Sequence, residues 1–159
     1  MSKNSVNAMN ILMKNSNKMN YRGKINCGYL MQFDGGSRGN PGISGCGAVI
    51  YNSEGELWNC TKFLGFNQTN NYAEYMGLIN GLKGALDMNI KELNVEGDSQ
   101  IIIKQMTGEF KATSPNIKLL YQEAIKLRNE FDSIAFTHIY RKHNSRADQL
   151  ANIAMDSKK

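Results

Sequence analysis

No stretch of this chain comes near the roughly 20 consecutive apolar residues that a membrane-crossing helix needs, which excludes an integral helical membrane protein. Cysteine is scarce and odd in number. Cys27, Cys46 and Cys60 include no Cys-x-x-Cys pair, so neither a disulfide framework nor a zinc site is expected, and they read as reduced thiols of a soluble intracellular protein of the cytoplasm or nucleus. No glycine-rich stretch ends in Gly-Lys-Ser/Thr, which removes a triphosphate-binding loop. No internal repeat is visible, and only one tryptophan, Trp58, and two histidines, His138 and His143, are present. At 159 residues the chain has the length of one domain with a real core.

Acid is missing from the first 33 residues, which carry five basic side chains, Lys3, Lys14, Lys18, Arg22 and Lys24. The net charge of +5 therefore sits entirely in that segment, because the other 14 basic and 14 acidic residues cancel. Rich in Asn, Ser, Met and Lys, residues 1–25 cannot build a core and read as a disordered basic tail ahead of a domain spanning 26–159. A mitochondrial presequence would be rich in arginine, and this stretch has one. A solvated extension is the first reading, and a weak arm for polyphosphate the second.

From residue 28 the periodicities are regular. Residues 28–34, 45–52 and 56–64 read as three successive strands, the last two joined by Ser53-Glu-Gly55, a hairpin turn. Ala73, Met76, Leu78, Ile79, Leu82, Ala85 and Leu86 recur at helical spacing over 72–88. A strand over 91–97, a helix over 99–106, a helix from Ser114-Pro115 to about Glu130, a strand over 133–140 and a helix over 145–155 complete the pattern. Three antiparallel strands followed by alternating helix and strand predict an α/β fold, a five-stranded mixed sheet with helices on both faces.

Within that frame four acids stand out. Asp34 closes the run Tyr29-Leu-Met-Gln-Phe33 and opens Gly35-Gly-Ser-Arg-Gly-Asn-Pro-Gly42; Asp98 ends a strand; Glu74 and Asp148 fall in the first turns of helices. Each has a local explanation. Asn71-Tyr-Ala-Glu74 and Ser145-Arg-Ala-Asp148 fit capping boxes, Asp98 suits an N-cap, and Asp34 suits an Asx-turn. Gathered at one rim, however, four carboxylates would repel and raise one another's pKa unless cations neutralised them, which points to Mg²⁺ or Mn²⁺. Two such ions about 4 Å apart can bracket a phosphodiester.

Phe33-Asp-Gly-Gly-Ser-Arg-Gly-Asn-Pro-Gly42, Thr69-Asn-Asn-Tyr-Ala-Glu74, Gly97-Asp-Ser-Gln100 and Ala147-Asp-Gln-Leu-Ala151 resemble, in order and spacing, the four motifs of type 1 ribonuclease H. The resemblance covers residues 28 to about 156 and implies a ribonuclease H-like fold. It implies Asp34, Glu74, Asp98 and Asp148 as ligands of two Mg²⁺, with Mn²⁺ as the substitute. The activity it implies is endonucleolytic hydrolysis of the RNA strand of RNA/DNA hybrids, leaving 5′-phosphate and 3′-hydroxyl ends. Asn40, Asn70, Asn71 and Gln100 match positions that contact the hybrid in its minor groove, and Thr69 one that helps hold a DNA-strand phosphate. Neutral amides suit that task, since a 2′-hydroxyl is both donor and acceptor and needs no sequence readout.

The chain departs from many relatives in having a compact Arg141-Lys-His-Asn-Ser-Arg146 connection and no inserted basic helix after residue 106, features that resemble archaeal and plant-like members. His143 is then the candidate for assisting product or metal release, and His138 is assigned to structure. Lys104, Lys111, Lys118, Arg141, Lys142 and Arg146 are candidates for a face along the nucleic-acid backbone. Trp58 reads as packing. A proofreading exonuclease would open with Asp-x-Glu, which Phe33-Asp-Gly-Gly36 lacks. The alternative in another class is a non-catalytic hybrid-binding or assembly domain from a reverse transcriptase-type polyprotein. The expected state is a monomer with no obligate protein partner and no membrane association.

Overall fold

The computed structural model of the chain describes residues 21–158. Alternation of apolar and polar side chains builds β1 (Leu30–Arg38), β2 (Gly42–Asn52) and β3 (Gly55–Gln68) into an antiparallel meander. β4 (Glu92–Gly97) and β5 (Ser133–His138) add in parallel on the other side of β1, so the sheet order is β3-β2-β1-β4-β5. The connections are α1 (Asn70–Asp87), α2 (Gln100–Met106) and α3 (Pro115–Arg128); a 3₁₀ turn (Arg141–His143) then leads into α4 (Ser145–Ser157).

Period two in β1 separates the layers. Met31 and Phe33 are fully buried in one core with Leu78 and Leu82 of α1, Leu93 and Val95 of β4 and Phe136 of β5. Each such large side chain contributes about 1.5–3 kcal/mol when removed from water. α4 covers the opposite face, where Ala147 and Leu150 pack on Val49. It lies directly on strand backbone: a Cβ on Gly45 would come within 2.7 Å of the Ala154 Cβ, and one on Gly47 within 2.9 Å of the Ala151 nitrogen.

Two boundaries differ from the sequence expectation. β1 does not end at Asp34 but continues through the glycine segment to Arg38, because Gly35 to Arg38 keep pairing with β2, from Gly35 opposite Cys46 to Arg38 opposite Ile43. Residues 21–25, assigned by composition to the tail, lie against the domain. Phe136 N donates to Tyr21 O, Gly23 N donates to Phe136 O at 3.1 Å, and the Asn94 amide exchanges two 2.9 Å hydrogen bonds with the Ile25 backbone. Tyr21 lies under the Arg128 guanidinium, 4.1 Å from ring centroid to Cζ. These contacts are long-range, which a local composition reading does not register. The rest of the expected tail, residues 1–20, lies outside the described residues.

Candidate active site

Parallel pairing of β1 with β4 stops at Phe33 opposite Gly97, so the next residues, Asp34 and Asp98, stand side by side where the two strands part. Ends of parallel strands leave a crevice of this kind. α1 is pressed close to β1 there: a side chain on Gly77 would reach within 2.5 Å of the Asp34 carbonyl, and one on Gly35 would collide with the Ala73 carbonyl. Glu74, in the first turns of α1, is thereby brought to Asp34, and carboxylate oxygens of Asp34, Glu74 and Asp98 all lie within 4.8 Å of one another. Asp148, from the first turn of α4, joins them in the wall of one cavity of about 490 Å³.

The cluster is electrostatically unfavourable as it stands. Asp34 and Glu74 are 6% and 8% exposed. Burial, reinforced by the neighbouring Asp98 charge, pushes the Asp34 carboxyl up to about 7, although Asp34 Oδ1 accepts a 2.9 Å hydrogen bond from the Gly35 amide. Burial and the Asp34 charge hold the Glu74 carboxyl well above the usual range, and Glu74 Oε2 is buried with no hydrogen-bond partner. An orphaned buried carboxylate oxygen among hard oxygen donors fits a divalent cation, which would supply the missing partner and neutralise the mutual repulsion.

The local capping explanations fail for Glu74 and Asp98. Thr69, not Asn71, caps α1, its hydroxyl accepting from Tyr72 N at 3.2 Å, and Ser99 caps α2, accepting from Ile102 N at 3.5 Å. Asp98 Oδ2 instead accepts a 3.0 Å hydrogen bond from Asn144 Nδ2. The Asx contact at Asp34 is present alongside its place in the cluster.

Around the acids, Asn40 Oδ1 accepts from Asn70 N at 3.0 Å and Asn70 Oδ1 accepts from Ser37 N at 2.7 Å, tying the β1–β2 turn to the start of α1. Asn71 lines the acidic cavity and also a second one of about 140 Å³, with Lys111, Thr113 and Ser114. Gln100 is exposed at the first position of α2. His143 is exposed on the 3₁₀ turn and is not in the cavity wall; Arg141 is, with its Nη2 3.4 Å from Asp148 Oδ1. His138 is exposed rather than packed in the core, its Nε2 3.2 Å from the Asp98 carbonyl oxygen. Arg146 is committed to Glu56, through contacts of 2.8 and 3.2 Å, which removes it from a free backbone-binding face. Sequence reasoning passed over Asn144; its place four residues before Asp148 at the head of a helix was the available signal.

Residues 32–154 match the family model described as reverse transcriptase-like. Ribonuclease HI of Halobacterium salinarum is 39% identical over 124 residues, 78% of this chain and 62% of that protein, and the structure of RNase H1 from the same archaeon superposes with a TM-score of 0.77 over 81% of this chain and 98% of the other. This chain belongs to the ribonuclease H family. A second family member, the bifunctional protein Rv2228c of Mycobacterium tuberculosis, is 40% identical over 130 residues, 80% of this chain and 35% of that protein, so the chain spans about a third of that relative's length. The N-terminal RNase H domain of Rv2228c superposes with a TM-score of 0.79, at 39% identity, over 82% of this chain and 94% of the other. LC11-RNase H1, solved in complex with an RNA/DNA hybrid, superposes with a TM-score of 0.75 at 35% identity, over 81% of this chain and 97% of the other. The ribonuclease H sheet order is thus reached with a short β5–α4 connection and no helix between α2 and α3.

Proposed function

We propose that the protein is an endonuclease that hydrolyses the RNA strand of RNA/DNA hybrids with divalent cations held by Asp34, Glu74, Asp98 and Asp148. The observation that carries this reading is the convergence of three carboxylates within 4.8 Å around an unpartnered buried oxygen, in a cavity open to solvent. Two Mg²⁺, or Mn²⁺ in their place, supply Lewis acidity to the attacking water and to the leaving oxygen when bound, which is the chemistry that yields 5′-phosphate and 3′-hydroxyl ends.

The chain's own groups account for substrate choice and placement. Asn40 and Asn70 spend their carbonyls within the protein, so what they offer a substrate is N–H donors suited to the acceptor side of a 2′-hydroxyl. Asn71 stands between the two cavities, where Lys111, Thr113 and Ser114 offer one cation and two hydroxyls to a backbone phosphate. The Thr69 hydroxyl, while accepting the cap hydrogen bond, keeps its proton for a phosphate oxygen. Arg141 places positive charge in the wall of the acidic cavity beside the scissile region, while Arg38, in the same wall, is paired with Asp156 at 2.7 Å. The structure of LC11-RNase H1 with an RNA/DNA hybrid supports the same substrate class here.

The deciding experiment is cleavage of an end-labelled RNA/DNA hybrid with Mg²⁺, with and without chelator, beside the Asp98→Asn variant. Metal-dependent cutting of the RNA strand that the variant loses is the expected result. Hybrid binding without cleavage would replace the reading with that of a non-catalytic binding domain.

A further inference from the structure

Asn144 is fully buried at the junction of the 3₁₀ turn and α4. Its single side-chain nitrogen donates to two acceptors, the Phe33 carbonyl of β1 at 2.9 Å and Oδ2 of Asp98, the residue after β4, at 3.0 Å. Its backbone joins the remaining parts of the rim: Asn144 O accepts from Asp148 N at 3.1 Å, and Asn144 N donates to Arg141 O at 2.9 Å. One residue thus touches the residue preceding Asp34, the Asp98 carboxylate, and the first turn that carries Asp148. The amide orientation is dictated by its partners, since the reverse rotamer would set Oδ1 against a carbonyl and a carboxylate oxygen, lone pair against lone pair. The remaining atom, Asn144 Oδ1, is buried without a partner. A buried amide carbonyl left unpaired is unfavourable, so this side chain is poorly explained as helix capping alone, and it makes no side-chain cap hydrogen bond to α4.

We infer that Asn144 is a positioning residue for the metal-binding carboxylates, holding the Asp98 carboxylate at one rotation and fixing the start of α4 to β1 at Phe33 so that Asp148 reaches the same point. The inference rests on the proposed metal-dependent site. Asn is required because both its amide protons are used; alanine supplies none, and a carboxylate would oppose Asp98.

The test is Asn144→Ala, compared with wild type in two readouts: the Mg²⁺ concentration that half-maximally raises the melting temperature, without substrate, and kcat and KM on the hybrid. We expect the folded variant to need about tenfold or more Mg²⁺ and to lose about 10–100-fold in kcat, the range typical of partners that orient metal ligands, while KM for the hybrid stays within about threefold. A folded variant with a lowered melting temperature but the wild-type Mg²⁺ midpoint and kcat would overturn the inference and leave Asn144 a structural residue. Should the variant not fold, the side-chain amide resonances of Asn144 in the wild-type protein decide. They are expected to shift with the Mg²⁺ midpoint of the thermal stabilisation, and resonances unmoved at saturation would overturn the inference. Absence of any Mg²⁺ stabilisation in wild type would instead sink the functional reading itself.

Discussion

The inner and outer parts of the acidic rim are built in opposite ways. Asp34 and Glu74 are buried on elements locked to the core, one with a partnerless oxygen and both with raised pKa values. Asp148 is about one-third exposed and already faces a cation, Arg141, itself 80% exposed. The inner part is assembled at a cost to the metal-free fold, whereas the outer part is paired with an exposed side chain. The difference teaches that burial strains the inner acids, while the outer one is relieved by a neighbouring cation.

That contrast breaks if the acids prove equivalent. The largest effect expected is from Asp98→Asn, at least about a thousandfold loss of cleavage, on the order of 4 kcal/mol of transition-state stabilisation. Next is the metal-free protein's own pH response. The folded Asp34 value of about 7 lies above that of an unfolded aspartate, so the fold's advantage is fully present below about pH 4 and is lost as pH rises toward 7. Melting in chelator should show stability falling across that window, on the order of 4 kcal/mol in all, and Mg²⁺ should restore it. Glu74→Gln should flatten the fall and abolish cleavage, whereas a stability that climbs from pH 4 to 7 in chelator would contradict the account of a strained inner cluster.

Asp148→Asn is expected to cost less than Asp98→Asn, about 10–100-fold, readable in the same gel assay. A loss equal to that of Glu74→Gln would erase the distinction between inner and outer acids. Smallest are the two basic candidates on the connection. Arg141→Ala should reduce kcat by about fivefold, on the order of 1 kcal/mol, with a weaker dependence on salt, and His143→Ala by less than about twofold. A larger loss from His143→Ala would return the release role to the histidine that lies outside the cavity wall.

Elements were legible in the sequence wherever periodicity was local: every strand and helix read from 28 onward is present, with ends displaced by a few residues. The gathering of Asp34, Glu74 and Asp98 was also anticipated, although Asp34 lies within β1, at the point where β4 leaves it, rather than at the strand's end. What could not be read was anything fixed by distant partners. Asn71 and Glu74 satisfy a capping pattern as well as Thr69 does, and only the tertiary approach of α1 to Asp34 selects among them. Asn144 resembles an ordinary helix-capping residue until Phe33 and Asp98 arrive from more than 40 positions away. Residues 21–25 lack an apolar pattern, and their anchoring comes from backbone groups, the Asn94 amide and Arg128.

The glycines of β2 that let α4 rest on the sheet have a consequence for engineering. Gly45 and Gly47 act as a shim of zero thickness beneath the helix that carries Asp148, so the height of that carboxylate over the sheet is set about 100 residues upstream. A methyl group added at either position would meet the Ala154 Cβ at 2.7 Å or collide with the Leu150 Cβ, so α4 would have to shift on the sheet and carry Asp148 with it.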